Sequence, residues 1–284
     1  MSKRTRNRQL AKQHARRQAE RQQHDRKRQR IGVIVAVLII AAAGIGAAYF
    51  AFAGGEEPAP QATGPTRTEE TGPTGATGQT TTVQPEPGPA EVACGGEQPR
   101  GALRPKPQFT APEQVLEDGV TYTATLQTSC GDIVIELLAE DAPETVNSFV
   151  FLAQQGFFDG QRFHRLDTSI DVIQGGDPTG TGTGGPGYSI PDELTGDESY
   201  APGVFAMANA GPDTGGSQFF IVTGPQAQAL DDQAAWTIFG EIVEGQDVAE
   251  TIQDLPIQDP SAGLQGQQPA QSVYIEKVTI DESR

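Results

Sequence analysis

Residues 157–182 read FFDGQRFHRLDTSIDVIQGGDPTGTG, and they contain the two cationic side chains, Arg162 and Arg165, of an otherwise acidic region. No other Lys or Arg occurs between Lys106 and Lys277. A guanidinium stays charged at physiological pH and presents a rigid fork of N–H donors. Such a group suits a reaction in which the electrons of a carbonyl or an amide shift while no proton leaves the enzyme. The sequence therefore makes this stretch the candidate active site.

The rest of the composition excludes several other kinds of site. His14 and His24 lie in the basic N-terminal segment, so only His164 remains for the folded part and a multi-histidine metal site is excluded there. No Gly-x-Ser-x-Gly motif supports a serine nucleophile. Cys94 and Cys130 match no zinc or redox spacing. We therefore expect chemistry that needs no cofactor and no metal.

Charge and hydropathy divide the chain into four segments. Residues 1–30 carry twelve Lys and Arg and are predicted to be a basic cytoplasmic tail. Residues 31–53 carry no charge and are long enough to cross a lipid bilayer as a transmembrane helix. Residues 54–114 are rich in Pro, Gly and Thr, which predicts a disordered linker, and residues 115–284 are predicted to fold.

The basic flank predicts the topology of the transmembrane helix. Because positive flanks stay in the cytoplasm, the chain is expected to be a single-pass protein of the cell membrane with its folded domain extracytoplasmic. A cleaved signal peptide is the alternative, since Ala51-Phe52-Ala53 has the small-x-small form of a cleavage site.

The segment beyond the predicted membrane span is strongly acidic. Residues 54–284 hold eight Lys and Arg against thirty-five Asp and Glu, a formal charge of −27. Such a surface repels phosphates, so no nucleic-acid partner is expected, and the domain is predicted to be a monomer. The even number of cysteines in an oxidising compartment favours a Cys94–Cys130 disulfide, and two unpaired thiols are the alternative.

The folded part is predicted to be mainly β. Six runs show the alternation or the β-branched residues typical of strands. They are Val120–Gln127, Asp132–Leu138, Gly203–Ala208, Gln218–Thr223, Thr237–Val243 and Ser272–Ile280. One helix is predicted from Ala142-Pro143-Glu144 up to Gly156 and a second over Gln246–Gln253. Many strands with two helices indicate a closed barrel capped by helices.

Three motifs follow one another in the folded part. They are Phe157-Phe158-Asp159-Gly160-x-x-Phe163-His164-Arg165, then Gln174-Gly175-Gly176-Asp177, then AMANAGPDTGGSQFF at residues 206–220. In this order and spacing they resemble the cyclophilin family of peptidyl-prolyl cis-trans isomerases. The resemblance runs from about Val120 to Ile252 and on to the last strand. It implies an eight-stranded antiparallel closed barrel with a helix at each end, and an isomerase that acts on proline-containing segments and assists the folding of exported proteins.

The resemblance places Arg165 at the catalytic position. Rotation about an X-Pro bond is slow because amide resonance gives a barrier of roughly 18–20 kcal/mol. In the twisted transition state the imide nitrogen becomes pyramidal and gains a lone pair, so a donor aimed at it stabilises only that state. Catalysis of this kind requires a guanidinium that faces a groove. A guanidinium turned away from the groove, or locked to a neighbouring carboxylate, would contradict it.

The resemblance also assigns residues to peptide binding. Gln174 is expected to hold the substrate backbone and to orient Arg165. The remaining predicted binding residues are Val172, Gly182, Ala208, Asn209, Ala210, Gln218, Phe220, Leu230 and Trp236. Among them the main chain of Asn209 is expected to bond the peptide, and Phe220 to form the floor of the proline pocket. Phe163, Met207 and Phe219 are predicted to lie in the core, and His164 to be bonded to the backbone.

Two loops depart from the family's pattern. The segment between Arg165 and Gln174 is one residue longer and puts Asp171 beside the pocket. A bulge there would turn Ile170 inward, but a carboxylate near the pocket is expected to weaken proline binding. The loop after Leu230 is two residues longer. It places Trp236 where the family often has His and Ala229 where it often has Trp, which predicts weak cyclosporin binding. The alternative function is therefore a catalytically weak module that binds Pro-containing peptides or acts as a scaffold.

Overall fold

The structure is a computed structural model, and it describes residues 82–102, 104–262 and 267–284. The predicted cytoplasmic tail, the predicted membrane span at residues 31–53 and the first part of the predicted linker lie outside the described residues. None of the helices within the described ranges combines the length and the apolar character that crossing a bilayer requires.

The described residues form one large antiparallel sheet and a separate strand pair. The pair is β1 (Thr82–Val83) with β2 (Lys106–Pro107). The large sheet contains β3 (Thr121–Thr128), β4 (Gly131–Leu137), β5 (Gln161–Arg162), β6 (Arg165–Asp167), β7 (Val172–Gly175), β8 (Val204–Met207), β9 (Phe219–Val222), β10 (Ile238–Glu244) and β11 (Tyr274–Ser283). Its strand order is β5-β11-β3-β4-β10-β8-β9-β7-β6.

The sheet curls because one short segment of chain serves both of its edges. The edge strands β5 and β6 are separated only by Phe163 and His164. Phe163 donates its N–H to the carbonyl of Val273 (3.0 Å) on one side, and His164 donates to the carbonyl of Gln174 (3.0 Å) on the other. The predicted mainly-β fold with two helices is confirmed. The predicted eight-stranded closed barrel is corrected to this curled sheet, which has nine strands within the described ranges because residues 161–167 count as two.

Side-chain alternation explains the long strands. In β3, Tyr122, Ala124 and Leu126 are fully buried, and the residues between them are more exposed. All six predicted strands are confirmed to within three residues. The short strands β5 to β7 were missed, because two to four residues are too few to show a period.

Both predicted helices are present. They are α1 (Pro143–Gln154) and α2 (Gln246–Gln253). Ala142 offers no side-chain cap to α1, so the carboxylate of Glu193 accepts from the N–H groups of Glu144 (3.0 Å) and Thr145 (2.8 Å). A carboxylate suits the positive end of a helix, and this contact fixes the chain between β7 and β8 against α1.

Residues 82–102 and 104–109, here called the strap, pack against the sheet, so the predicted linker is wrong over its described part. The Cys94–Cys130 disulfide ties the strap to the β3–β4 turn, which confirms the predicted pairing. The N–H of Glu86 donates to the carbonyl of Thr179 (2.9 Å), and the N–H of Phe109 to that of Pro186 (2.7 Å). The strap is ordered by main-chain bonds and a covalent link, which its Pro- and Gly-rich composition does not reveal.

The two faces of β8 and β9 pack into different apolar clusters. Phe219 and Ile221 face the main core, where the predicted core residues Phe163, Met207 and Phe219 are confirmed. Phe220 and Val222 point to the opposite face of the sheet. They belong to a smaller cluster formed by Val172, Tyr200, Val204, Ala206, Phe220, Val222, Ala227 and Leu230. That smaller cluster is the apolar half of the candidate site.

Candidate active site

The strand register places the predicted catalytic arginine and the predicted pocket floor in one row. Arg165 of β6 lies opposite Gln174 of β7, Gln174 lies opposite Phe220 of β9, and Phe220 lies opposite Ala206 of β8. Directly opposite residues of antiparallel strands project from the same face. The row therefore runs from a guanidinium, which can donate to an amide, to an apolar surface, on which a proline ring can pack.

A chain of hydrogen bonds forms the polar half of the site. Arg165 Nη1 donates to Gln174 Oε1 (3.0 Å), and Gln174 Nε2 donates to Gln218 Oε1 (3.0 Å). Gln218 Nε2 in turn donates to the carbonyls of Gly182 (3.1 Å) and Gly184 (2.9 Å). The structure thus brings together Arg165, Gln174, Gln218 and Gly182, and their roles in peptide binding stay predictions.

Arg165 also has two partners outside the set of predicted peptide-binding residues. Its Nε donates to Gln267 Oε1 (2.8 Å), and its Nη2 forms an ion pair with Asp167. The expectation of a guanidinium that is not bound to a neighbouring carboxylate is therefore wrong, and the ion pair counts against catalysis by Arg165 to the extent that it occupies the N–H groups. The side chain is nevertheless 26% exposed. Of its five N–H groups, two, one on each terminal nitrogen, have no partner among the described residues.

The second cation of the stretch, Arg162, has a different environment. Its Nη2 donates to the carbonyl of Glu86 in the strap (2.9 Å), and burial lowers the pKa of the guanidinium. Gly180 packs so closely that a Cβ there would lie 2.6 Å from Arg162 Nη2. Arg162 thus holds the strap, and Arg165 is the arginine beside the apolar cluster.

The apolar half of the site is a wall of aromatic and branched side chains. Phe220 is 6% exposed, and Trp236 packs edge-on to it with ring centroids 6.2 Å apart. The hydroxyl of Tyr200 donates to the carbonyl of Trp236 (2.7 Å) and accepts from its N–H (3.0 Å). Val172 and Leu230 complete the cluster, so the predicted pocket residues lie together.

The lengthened segment between Arg165 and Gln174 forms the β6–β7 turn. Asp171 adopts a left-handed backbone conformation (φ 48°), and Ile170 packs against the smaller apolar cluster, as the sequence suggested for a bulge. The carboxylate of Asp171 accepts from the N–H of Gln226 (3.0 Å). The main chain of the segment after β9 thus binds the carboxylate of Asp171, and its expected effect on proline binding stays a prediction.

The predicted peptide edge continues from β8. The N–H of Ala208 donates to the carbonyl of Gln218 (2.9 Å), and the N–H of the exposed Ala210 donates to Thr214 Oγ1 (2.9 Å). The side chain of Asn209 donates to the carbonyl of Ala235 (2.7 Å) and so ties this edge to the residue before Trp236. The predicted bonds from the Asn209 main chain to a peptide stay a prediction.

The glycine-rich loop at residues 179–187 is organised by Asp177. This buried carboxylate accepts from the N–H of Thr179 (2.7 Å) and from the N–H of Gly182 (2.5 Å). Burial by itself raises the pKa of Asp177, and the hydrogen bonds from Thr179 outweigh it, so that the pKa lies below its usual value. The charged form thus holds the loop that accepts from Gln218.

His164 contradicts one expectation. Neither ring nitrogen has a hydrogen-bond partner among the described residues, so the predicted bond to the backbone is wrong for the side chain. Burial lowers the pKa of His164 to about 4, so the ring is neutral at pH 7. No three His, Cys, Asp or Glu side chains in the described part of the chain are grouped to hold a metal ion, and the absence of a metal stays a prediction.

With this geometry in place, comparisons with known proteins identify the family. The family model of the cyclophilin type peptidyl-prolyl cis-trans isomerases matches residues 123–280. The chain is 43% identical over 178 residues to peptidyl-prolyl cis-trans isomerase A of Mycobacterium tuberculosis, covering 56% of this chain and 92% of that protein. It is 44% identical over 145 residues to human peptidyl-prolyl cis-trans isomerase-like 1, covering 47% of this chain and 85% of that protein.

Solved structures agree. A cyclophilin type peptidyl-prolyl cis-trans isomerase from Cryptosporidium parvum matches with a TM-score of 0.51 and 29% identity, over 58% of this chain and 99% of that one. The same protein has been crystallised in the presence of the dipeptide Ala-Pro. The chain belongs to the cyclophilin-type isomerase family. It is a peptidyl-prolyl cis-trans isomerase.

Three residues of the site were missed from the sequence. Asp167 was detectable, because positions i and i+2 of a strand share a face and Asp167 is two residues after Arg165. Tyr200 and Gln267 lie outside the strands and α-helices, where no sequence period places a side chain. Their contributions appear only in the folded chain.

Proposed function

We propose that Arg165 is the catalytic residue of the isomerase and that the row from Arg165 to Phe220 is its substrate groove. The observation that carries the proposal is the cross-strand register, which sets a partly exposed guanidinium beside a buried aromatic floor. A proline ring packs on the floor formed by Phe220 and Trp236, and its imide nitrogen then faces the guanidinium. Gln174 holds the peptide backbone and the guanidinium together.

The mechanism follows from the electronic change during rotation. In either planar isomer the imide nitrogen has no available lone pair, so Arg165 gains little from binding the ground state. As the bond twists, the lone pair forms and accepts from an N–H of Arg165, and this charge-assisted bond lowers the barrier. Each tenfold gain in rate requires about 1.4 kcal/mol, which one such bond at a partly desolvated site supplies.

Turnover of an X-Pro peptide tests this role. Arg165→Ala is expected to lower kcat/KM by about a hundredfold, the usual loss when one donor to the transition state is removed. Arg165→Lys keeps the charge but loses the planar fork, so it is expected to recover only part of the activity. Arg162→Gln is the matched control, because that arginine bonds the strap instead of facing the apolar cluster.

The Arg165–Asp167 ion pair is the one observation that favours the alternative, a module that binds proline peptides with little turnover. Isothermal titration with the same peptide separates the two functions. Wild-type turnover lost in Arg165→Ala supports catalysis by Arg165. Peptide binding by a wild-type protein that does not accelerate rotation supports the binding module, and wild-type turnover in Arg165→Ala refutes the assignment of Arg165.

We further propose that residues 31–53 anchor the chain in the cell membrane with the isomerase domain extracytoplasmic, acting on exported proteins as a monomer. The uncharged run with its basic flank and the Cys94–Cys130 disulfide support this location, since disulfides persist in oxidising compartments. Carbonate extraction of membranes and protease digestion of intact cells test it. Release by carbonate, or protection from external protease, would refute the topology.

A further inference from the structure

Asp167 binds the arginine that we propose to be catalytic, and the geometry of strand β6 places the two side chains side by side. Arg165 and Asp167 are two residues apart, so their side chains project from one face while Leu166 between them is buried in the core. The Asp167 side chain is only 4% exposed, and one carboxylate oxygen pairs with Arg165 Nη2. The ion pair is therefore a buried structural element of the site and not a surface contact.

The second oxygen of Asp167 is held by the β6–β7 turn. It accepts from the N–H of Ser169 (3.0 Å) and from the Ser169 hydroxyl (2.5 Å). A buried carboxylate with three donors is fixed in direction, because losing any one of them leaves part of a desolvated charge unsatisfied. Asp167 is therefore a rigid acceptor for a side chain that is otherwise long and flexible.

The contacts of the guanidinium show what this rigidity achieves. Gln267 binds Nε, Gln174 binds Nη1 and Asp167 binds Nη2, so each nitrogen has one protein partner. A planar group bound at all three nitrogens cannot rotate without breaking a bond. The remaining N–H of each terminal nitrogen then points in a fixed direction before substrate binds.

We propose that Asp167 is a positioning residue for the isomerase reaction, which fixes the guanidinium of Arg165 in the orientation that serves the twisted imide. This inference rests on the proposed catalytic role of Arg165. The carboxylate has an opposing effect as well, since it offsets the positive charge and weakens Arg165 as a donor. Misplacing a reacting group by about 1 Å can cost a hundredfold in rate, and the positioning effect is therefore the larger.

Asp167→Asn is the sharpest perturbation, because it keeps the size of the side chain. It leaves a single amide oxygen to meet three donors, so the guanidinium loses its fixed partner. We expect kcat for an X-Pro peptide to fall about tenfold with little change in KM, since the ground state makes little use of the oriented N–H. Asp259→Asn is the matched control: Asp259 accepts from the N–H (2.9 Å) and hydroxyl (2.6 Å) of Ser261 in the same kind of turn, but no arginine of the described residues binds it.

A double-mutant cycle distinguishes positioning from a purely structural role. If Asp167 acts through Arg165, then Arg165→Ala with Asp167→Asn is no slower than Arg165→Ala alone. A loss that adds to that of Arg165→Ala would overturn the proposal, and so would an Asp167→Asn protein with wild-type or higher kcat. Wild-type turnover in Arg165→Ala would instead refute the catalytic role of Arg165, and the inference would fall with it.

A second variant keeps the test valid where Asp167→Asn fails to fold. Asp167→Leu combined with Ser169→Ala replaces the buried carboxylate, and the exposed hydroxyl that binds it, with apolar groups; buried charges are often replaced in this way without loss of the fold. This variant has no acceptor for Arg165 Nη2, so the same tenfold loss of kcat is expected. A folded double variant with wild-type kcat would overturn the proposal.

Discussion

Removal of the Cys94–Cys130 disulfide is expected to destabilise the folded domain by about 4 kcal/mol. The bond joins residues 36 positions apart, and the chain-entropy relation for a loop of that size gives roughly 13 cal/mol/K, or about 4 kcal/mol at 25 °C. In a domain of this size each kcal/mol corresponds to about 2–4 °C, so Tm is expected to fall by about 8–16 °C.

The assay is urea unfolding of the purified chain, comparing the wild-type protein with Cys94→Ser/Cys130→Ser. Trp236 is the single tryptophan and packs at the site, so its fluorescence reports unfolding of the sheet. Reducing agent is expected to lower the wild-type stability to that of the double variant and to leave the variant unchanged. The double variant is expected to have the larger m value, because its unfolded chain is not cross-linked and exposes more surface than that of the wild-type protein.

The size of the effect depends on the strap remaining docked without the covalent link. The non-covalent contacts that hold the strap are the main-chain bonds to Thr179 and Pro186 and the edge-on packing of Phe109 on Phe151, whose ring centroids are 5.0 Å apart. A change below about 1 kcal/mol would mean that the strap detaches before the sheet unfolds. It would refute the reasoning that strap and sheet form one cooperative unit.

Three further changes probe single contacts. Gly176→Ala is expected to lower the free energy of thermal unfolding by about 3 kcal/mol, since Gly176 has a φ of 82° and a Cβ would lie 2.1 Å from the carbonyl oxygen of Ser217. A variant as stable as the wild-type protein would contradict this. Burial lowers the pKa of His164 from 6.5 to about 4. The free energy of unfolding therefore has the full contribution of the neutral ring above pH 6.5 and loses up to about 3 kcal/mol of it as the pH falls towards 4. Urea unfolding of His164→Phe at pH 7 and pH 4.5 should lack that part of the pH dependence. Trp236→Ala removes the ring over Phe220 and should raise KM about tenfold with kcat unchanged in a peptide assay, and an unchanged KM would exclude Trp236 from the pocket.

The sequence predicted those parts of the fold that depend on local periodicity. The long strands β3 and β4 alternate over seven or eight residues, and α1 begins at a proline, so each has its own signal. The edge strands β5 and β6 have two and three residues and exist because neighbouring strands bind them. The strap depends even more on distant residues, because it is held by the disulfide to Cys130 and by hydrogen bonds to carbonyls of the glycine-rich loop.

The site shows a similar division. Motif spacing was enough to select Arg165, Gln174, Gln218 and Phe220, and the strand register places Arg165, Gln174 and Phe220 in one row. The partners of each charge were not predictable, because hydrogen bonds such as that from Arg165 to Gln267 join residues about a hundred positions apart. For Asp171 the sequence identified a carboxylate near the pocket, but only the fold shows that the N–H of Gln226 binds it.

The two arginines of residues 157–182 have different environments and different contacts. Arg162 is in β5 and Arg165 is in β6, and between them the chain passes from one edge of the curled sheet to the other. Arg162 therefore meets the strap, which buries it against Glu86, whereas Arg165 meets β7 and through it the aromatic floor. The sequence shows two cations in an acidic region and does not rank them by environment. The curl of the sheet does distinguish them, because it gives Arg162 a main-chain carbonyl partner in the strap and leaves two N–H groups of Arg165 without a partner among the described residues.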